Sequence, residues 1–278
     1  MKRKIILTIL FSTFILTANA QEKVSQQVKV CEEPISFIKD GHIYLPSIID
    51  STHHANMIFD TGASGQLLVD TVYLKEQGWT INTSMWGRLR GTNGYSRVRL
   101  SQKRHKVEHG KASETFPYMV LGNLRSVLGK HADGLFGSND FERLPLEINY
   151  QQRFIRKLNT IPDSVKRNYQ CLPLTFKDKD CLIKATIWFN GQAIEGLYII
   201  DTGSGDDVFF TEATTKQYNL ESYKGKKRVG HGLDMGLGDG GVSTWIDAYA
   251  DSMRMGSLHI PQPGISIVPD GKGAFKEN

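Results

Sequence analysis

Two aspartates of this chain sit in the same short phrase. Ile58-Phe59-Asp60-Thr61-Gly62-Ala63-Ser64 is echoed by Ile199-Ile200-Asp201-Thr202-Gly203-Ser204-Gly205, and an apolar triplet follows each copy at the same offset, Leu67-Leu68-Val69 and Val208-Phe209-Phe210. A strand that stays apolar until it breaks into Asp-Thr-Gly delivers a carboxylate at the edge of a packed core, where glycine allows a sharp turn and close backbone approach. If two such carboxylates come within about 3.5 Å, their repulsion at an effective dielectric of about 20 is roughly 5 kcal/mol, so both cannot ionise near neutral pH. They share a proton. The charged member can then take a proton from water while the protonated one hydrogen-bonds a carbonyl under attack, which is amide hydrolysis without a metal or a covalent intermediate.

The elements that must position these residues repeat as well. A hairpin is expected before each Asp-Thr-Gly, one turning at Asp50-Ser51 and the other at Asn190-Gly191, the strongest hairpin signal in the chain. A short helix is expected after each apolar triplet, over residues 70–77 and 211–218, with Asp70 and Thr211 as N-caps. Glycine-bearing stretches then follow at matching distances from the two aspartates: Gly91-Thr92-Asn93-Gly94-Tyr95 between polar strands, and the run from Gly230 through Gly232 to Gly241. The first half goes on through Asp133-Gly134-Leu135-Phe136-Gly137 to Ile148-Asn149-Tyr150 and Phe154-Ile155, and no second Gly-Leu-Phe-Gly appears in the other half.

At these residues the chain resembles the aspartic proteases of the pepsin and retropepsin type, especially the small bacterial secreted or periplasmic members, from about Ile35 to the C-terminus. The resemblance implies an all-β, bilobal enzyme with a few short helices, acting as a monomer on peptide or protein substrates without a cofactor. One lobe spans 35–159 after an N-terminal segment 21–34, and the other spans 160–278. By the same resemblance Asp133-Gly134-Leu135-Phe136-Gly137 corresponds to the strand that crosses beneath the first catalytic loop, followed by the closing strands, while the second lobe is expected to lack that closing segment. Asp60 and Asp201 are then the catalytic dyad. Thr61 and Thr202 interlock the two loops through mutual hydroxyl–backbone hydrogen bonds, with Gly62, Ala63, Gly203 and Ser204 shaping the turns. The Gly94 and Gly232 hairpins correspond to the flap over substrate, with Tyr95 at its tip. The side-chain difference between Ala63 and Ser204 suggests that a serine hydroxyl favours the charged form of Asp201. A second function from another class also fits an incomplete second half: a peptide-binding pseudo-protease that keeps the lobes but cannot hold both carboxylates in register.

Composition excludes several other classes. Lys2, Arg3 and Lys4, an apolar run, and Ala18-Asn19-Ala20 read as a secretory signal cleaved after Ala20, so the mature chain is expected outside the cytoplasm and not inserted in a membrane. Three of the basic residues behind the formal charge of +5 leave with that leader. The remainder is close to neutral, and no nucleic-acid partner is expected. At 278 residues and 40% hydrophobic content the chain can build one large or two modest cores. Of three cysteines, Cys171 and Cys181 flank a strand and turn whose ends could meet in a disulfide, or all three including Cys31 are free thiols.

One competing motif needs weighing. His105-Lys106-Val107-Glu108-His109 spells the H-x-x-E-H pattern of a zinc peptidase, with the histidines as ligands and Glu108 as base. That chemistry needs a helix, and the flanking residues read as an extended polar hairpin. No metal is therefore assigned. The glycines around 230–241 do not spell a dinucleotide fingerprint, and Asp234 and Asp239 among them fit no EF-hand spacing.

Overall fold

The structure is a computed structural model that describes residues 4–7, 13–16, 35–36, 38–82, 85–91, 94–137, 144–177, 180–205, 207–232, 243–272 and 275–276. The chain is all-β. Two ten-stranded sheets carry most of it, and a four-stranded sheet combines Thr13–Leu16, Leu146–Asn149, Phe154–Lys157 and Ile35–Ser36.

The first large sheet runs in the order Met85–Gly91, Gly94–Ser101, Met119–Gly122, Leu67–Asp70, Gly134–Gly137, His53–Ser64, His42–Ile49, His105–His109, Ala112–Phe116. The second runs Arg228–Gly232, Ser243–Tyr249, Gly264–Ile267, Val208–Phe210, Lys4–Leu7, Gln192–Ile200, Asp180–Phe189, Ser252–Met255, Leu258–Pro261. Each also has one strand off this path, Ile38–Asp40 on His42–Ile49 and Leu174–Lys177 on Asp180–Phe189. The repeat seen around two short motifs therefore extends through both sheets, strand for strand.

Local chemistry explains the turns and helices. Asp50 and Ser51 adopt positive φ between His42–Ile49 and His53–Ser64, as do Asn190 and Gly191 between Asp180–Phe189 and Gln192–Ile200. Two successive left-handed residues give the turn twist that suits a tight hairpin. The helix Thr71–Glu76 is capped by Asp70, whose carboxylate accepts from the Val72 and Tyr73 amides, and Glu212–Gln217 is capped by Thr211. Asp70 is fully buried and its other oxygen accepts from the Leu124 and Arg125 amides, so one carboxylate ties two helix starts together.

Gly134–Gly137 lies parallel to His53–Ser64 and antiparallel to Leu67–Asp70, beneath the first Asp-Thr-Gly as expected. A Cβ at Gly134 would fall 2.5 Å from the Leu68 carbonyl oxygen, which is why glycine stands there. In the second sheet the same slot is filled. Lys4–Leu7 runs parallel to Gln192–Ile200 and antiparallel to Val208–Phe210, with Ile6 facing Ile199 and Phe209 just as Leu135 faces Ile58 and Leu68. The segment read as a leader thus supplies the strand that the second half lacks. Its run of β-branched and apolar residues suits a strand as well as it suits a signal sequence. Among the described residues no helix is long and apolar enough to cross a membrane. Cys171 and Cys181 are free thiols, one exposed and one buried, while Cys31 lies outside the described residues.

Candidate active site

Each Asp-Thr-Gly stands where a buried central strand of one sheet ends, His53–Ser64 in the first and Gln192–Ile200 in the second. The two loops face each other and are locked reciprocally. The Thr61 amide donates to Thr202 Oγ1 (3.1 Å) and the Thr202 amide donates to Thr61 Oγ1 (3.0 Å). Each hydroxyl then donates onward into the opposite strand, Thr61 to the Ile200 carbonyl at 2.7 Å and Thr202 to the Phe59 carbonyl at 2.9 Å. Each hydroxyl thus donates once and accepts once, and Thr61 is fully buried. A serine would preserve this pattern and a valine would not.

The glycines set the spacing of the carboxyls. A Cβ on Gly62 would stand 2.8 Å from Asp201 Cγ, and one on Gly203 would overlap Asp60 Cγ outright. Each backbone therefore packs directly against the other half's carboxyl. Each aspartate also curls back on its own loop, Asp60 Oδ1 accepting from the Gly62 amide (2.7 Å) and Asp201 Oδ1 from the Gly203 amide (2.8 Å). The two carboxyls hydrogen-bond each other.

Electrostatics divide the pair. Burial pushes the Asp60 carboxyl well above the ordinary carboxylate range, and the neighbouring charge and hydrogen bond of Asp201 push it further, against the lowering effect of the Gly62 and Ala63 amides. Burial also raises Asp201, but the hydrogen bond from Asp60, the Gly203 and Ser204 amides and the charge of His42 pull it back. Both carboxyls are held above the ordinary carboxylate range, first by burial, so the pair keeps a proton that neither member owns alone. The Ser204 backbone amide donates to the carboxylate, matched in the other loop by the Ala63 amide, and the charge of His42 acts on Asp201 as well.

His42 is the residue that sequence reasoning missed. It opens the strand His42–Ile49, whose register against His53–Ser64 (Tyr44 opposite Ile58) brings it level with Asp60. Its Cε1 lies 4.0 Å from where a Cβ of Gly205 would sit, on the far loop. Counting back two residues from Tyr44 along the hairpin register would have found it.

The remaining sequence candidates fall into place around the loops. Gly94 and Tyr95 begin the return strand of the hairpin Met85–Gly91/Gly94–Ser101, and Tyr95 is exposed with the Arg88 guanidinium 4.1 Å over its ring. Gly232 ends the strand Arg228–Gly232 of the matching hairpin, and the loop from 233 to 242, with Asp234 and Asp239, lies outside the described residues.

No known family model matches this chain, and no curated protein matches it either.

The geometry disposes of the zinc motif. His105–His109 is a strand, in which His105, Val107 and His109 are buried on one face while Glu108 and Lys106 point to the other. Two strand residues four apart are separated by about 13 Å along the backbone, too far to share one ion, and the glutamate is on the wrong side. His105 instead joins another constellation. Asp50 Oδ2 lies 2.9 Å from His105 Nδ1, and His105 Nε2 lies 2.7 Å from Ser101 Oγ. These are the residue types of a serine hydrolase relay, but Ser101 is 2% and His105 0% exposed, so no substrate carbonyl can approach the hydroxyl. The network fastens the base of the Met85–Ser101 hairpin to the Asp50 turn.

Proposed function

We propose that the chain is an aspartic endopeptidase of the pepsin and retropepsin type, bilobal, with Asp60 in one lobe and Asp201 in the other. The observation that carries this reading is the reciprocal Thr61–Thr202 lock, which holds two carboxyls in mutual hydrogen-bond contact, each against the other loop's glycine. The shared strand order of the two large sheets supports the bilobal description.

Asp201, as carboxylate, takes a proton from a water whose oxygen bonds to the scissile carbonyl carbon. Asp60, as acid, gives its proton to the carbonyl oxygen, so a neutral tetrahedral diol forms and the negative charge passes from Asp201 to Asp60. Proton transfer from the now protonated Asp201 to the amide nitrogen lets the C–N bond break, and a diol hydroxyl returns its proton to Asp60. The start state is restored. The Met85–Ser101 hairpin is read as the flap, pairing its backbone with an extended peptide. The working compartment is outside the cytoplasm.

A second reading, a peptide-binding module without turnover, draws support from one observation. The strand under the Asp201 loop is Lys4–Leu7, inside the segment read as a leader. One experiment separates the two: digestion of a mixed peptide library from acid to neutral pH by the wild-type, Asp60→Asn and Asp201→Asn proteins, with and without EDTA. Cleavage by the wild type alone, indifferent to EDTA, is the expected result. Peptide retention without cleavage supports the module, and cleavage surviving both substitutions overturns the dyad.

A further inference from the structure

The hairpin Met85–Gly91/Gly94–Ser101 carries a feature that peptide hydrolysis does not require. Between Glu76 and Glu108 the sequence contains no acidic residue, while Arg88, Arg90, Arg97, Arg99, Lys103, Arg104 and Lys106 fall inside that stretch. The cross-strand register sorts the hairpin into two faces. Gly87, Leu89, Val98 and Leu100 turn inward, where Val98 is buried and Leu89 and Leu100 pack against the same cluster. Trp86 faces Arg99 and Arg88 faces Arg97 on the other side.

This outer face is exposed and pre-ordered. Trp86 is 49% and Tyr95 38% exposed. Arg97 Cζ stands 4.2 Å and Arg99 Cζ 5.1 Å from the centre of the Trp86 ring, and Arg88 lies over Tyr95. Among the described residues, no ion pair includes these three arginines, whereas Lys103 pairs with Asp50 and Lys106 with Glu108. The matching hairpin of the second sheet is built differently: Arg228 is neutralised by Asp247, at 2.7 Å, and no arginine ladder follows it. The positive face belongs to one hairpin only.

We propose that the outer face of this hairpin is a docking surface for acidic segments of polypeptide substrates, with Arg88, Arg97 and Arg99 receiving carboxylates of an extended chain. The inference names the substrate class of the proposed endopeptidase and rests on that reading for its link to cleavage. Arg97 and Arg99 are two residues apart on a strand, about 6.6 Å, the same spacing as alternate side chains of an extended peptide. Guanidinium groups flattened on aromatic rings have already lost much of their freedom, and their planar forks match carboxylates in two-point hydrogen bonds. A membrane surface fits less well. The exposed rings of Trp86 and Tyr95 are covered by arginines rather than free to enter a bilayer, and the face holds arginine rather than a broad lysine patch.

The test uses two fluorescent peptides with one common central sequence, one flanked by Glu-x-Glu and one by Gln-x-Gln. Binding is measured by anisotropy to the full-chain Asp60→Asn protein, with and without Arg97→Gln/Arg99→Gln, at low and high salt. Cleavage of both peptides is measured with the wild type. Expected is about fivefold tighter binding of the Glu peptide at low salt, lost in the double arginine variant and at high salt, with the melting temperature unchanged. Equal binding of the two peptides overturns the proposal. So does arginine-dependent binding of phosphatidylglycerol vesicles or a sulfated oligosaccharide in preference to the Glu peptide. The two readings fail separately. Arginine-dependent binding without any cleavage sinks the endopeptidase and keeps the docking face, while cleavage of both peptides with equal kcat/KM and no binding difference keeps the endopeptidase and sinks the docking face.

Discussion

Gly203 and the Asp60 carboxyl occupy adjoining space: a Cβ on that glycine would overlap Asp60 Cγ, while one on Gly62 would stand 2.8 Å from Asp201 Cγ. Neither glycine adopts positive φ, so close approach and not backbone conformation is what requires them. Gly203→Ala should therefore drive the carboxyls apart. The expected outcome is a loss of at least about 100-fold in kcat with a smaller change in KM, because a misplaced acid–base pair fails in the transition state. Gly62→Ala should cost less, since its clash is milder. Peptide kinetics on both variants check this, and equal or negligible losses would contradict the geometry.

The threonine lock makes a separable claim about stability. Thr202→Val leaves the Thr61 amide and the Phe59 carbonyl unsatisfied within the joint between the loops, which should cost about 1–3 kcal/mol. Thr61→Val does the same to the Thr202 amide and the Ile200 carbonyl. Because the two residues share one network, the double variant should lose clearly less than the sum of the singles. Thr→Ser at either position should restore most of the loss. Denaturant melts of the four proteins measure the coupling, and strict additivity would mean that the bonds do not act as a unit.

A buried histidine should set the acid limit of the fold. His109 is 4% exposed, stacked on Phe136 at 4.5 Å, with Ser47 Oγ 3.2 Å from Nδ1. Burial pushes its imidazole down to about 3, and the charge of Lys157 adds to the effect. The folded pKa lies below the unfolded value of about 6.5, so the unfolded chain binds the extra proton and stability falls as pH drops below that value. Between pH 6.5 and 4.5 the loss from this group is roughly 2 kcal/mol, the slope approaching 1.36 kcal/mol per unit at the acid end of that interval. Asp50 acts in the same direction at lower pH. Its burial favours the neutral form, but hydrogen bonds from the Lys106 amide, Lys103 and His105 outweigh that and hold its carboxyl below the ordinary value. The expected result is a flatter dependence of melting temperature on pH in His109→Phe across this interval. An unchanged slope would remove His109 as the cause.

The repeat of short phrases made half of this site legible. An apolar strand ending in Asp-Thr-Gly, the Asn190-Gly191 turn and the Asp70 and Thr211 caps are local signals, and each element stands where those signals put it. The strand at Gly134–Gly137 could also be read, through the resemblance of that segment to the one that crosses beneath an aspartic-protease catalytic loop. Three features were not legible, and all depend on contacts between residues distant in the chain. His42 matters through the register of its hairpin and through the second loop, neither of which marks the residue itself. The Ser101–His105–Asp50 network joins a strand to a turn fifty residues away. Lys4–Leu7 fills the slot beneath Asp201, where its composition alone reads as a leader.

The division of charge between the aspartates yields the last prediction. The charge of His42 lowers Asp201, while the Ala63 and Ser204 amides act alike on their own carboxyls. The acidic limb of kcat/KM reports ionisation of the base, Asp201 in the free enzyme. Removing the imidazole by His42→Gln takes away a positive charge that favours the carboxylate, so Asp201 should ionise later and the acidic limb should move to higher pH. Ser204→Ala keeps the backbone amide, so its limb should stay near that of the wild type, as should that of Ala63→Ser. The experiment is a set of four pH–kcat/KM profiles on one peptide substrate, read against kcat alone to separate binding from ionisation. A limb that moves with Ser204→Ala and not with His42→Gln would return the asymmetry to the hydroxyl and take it from the imidazole.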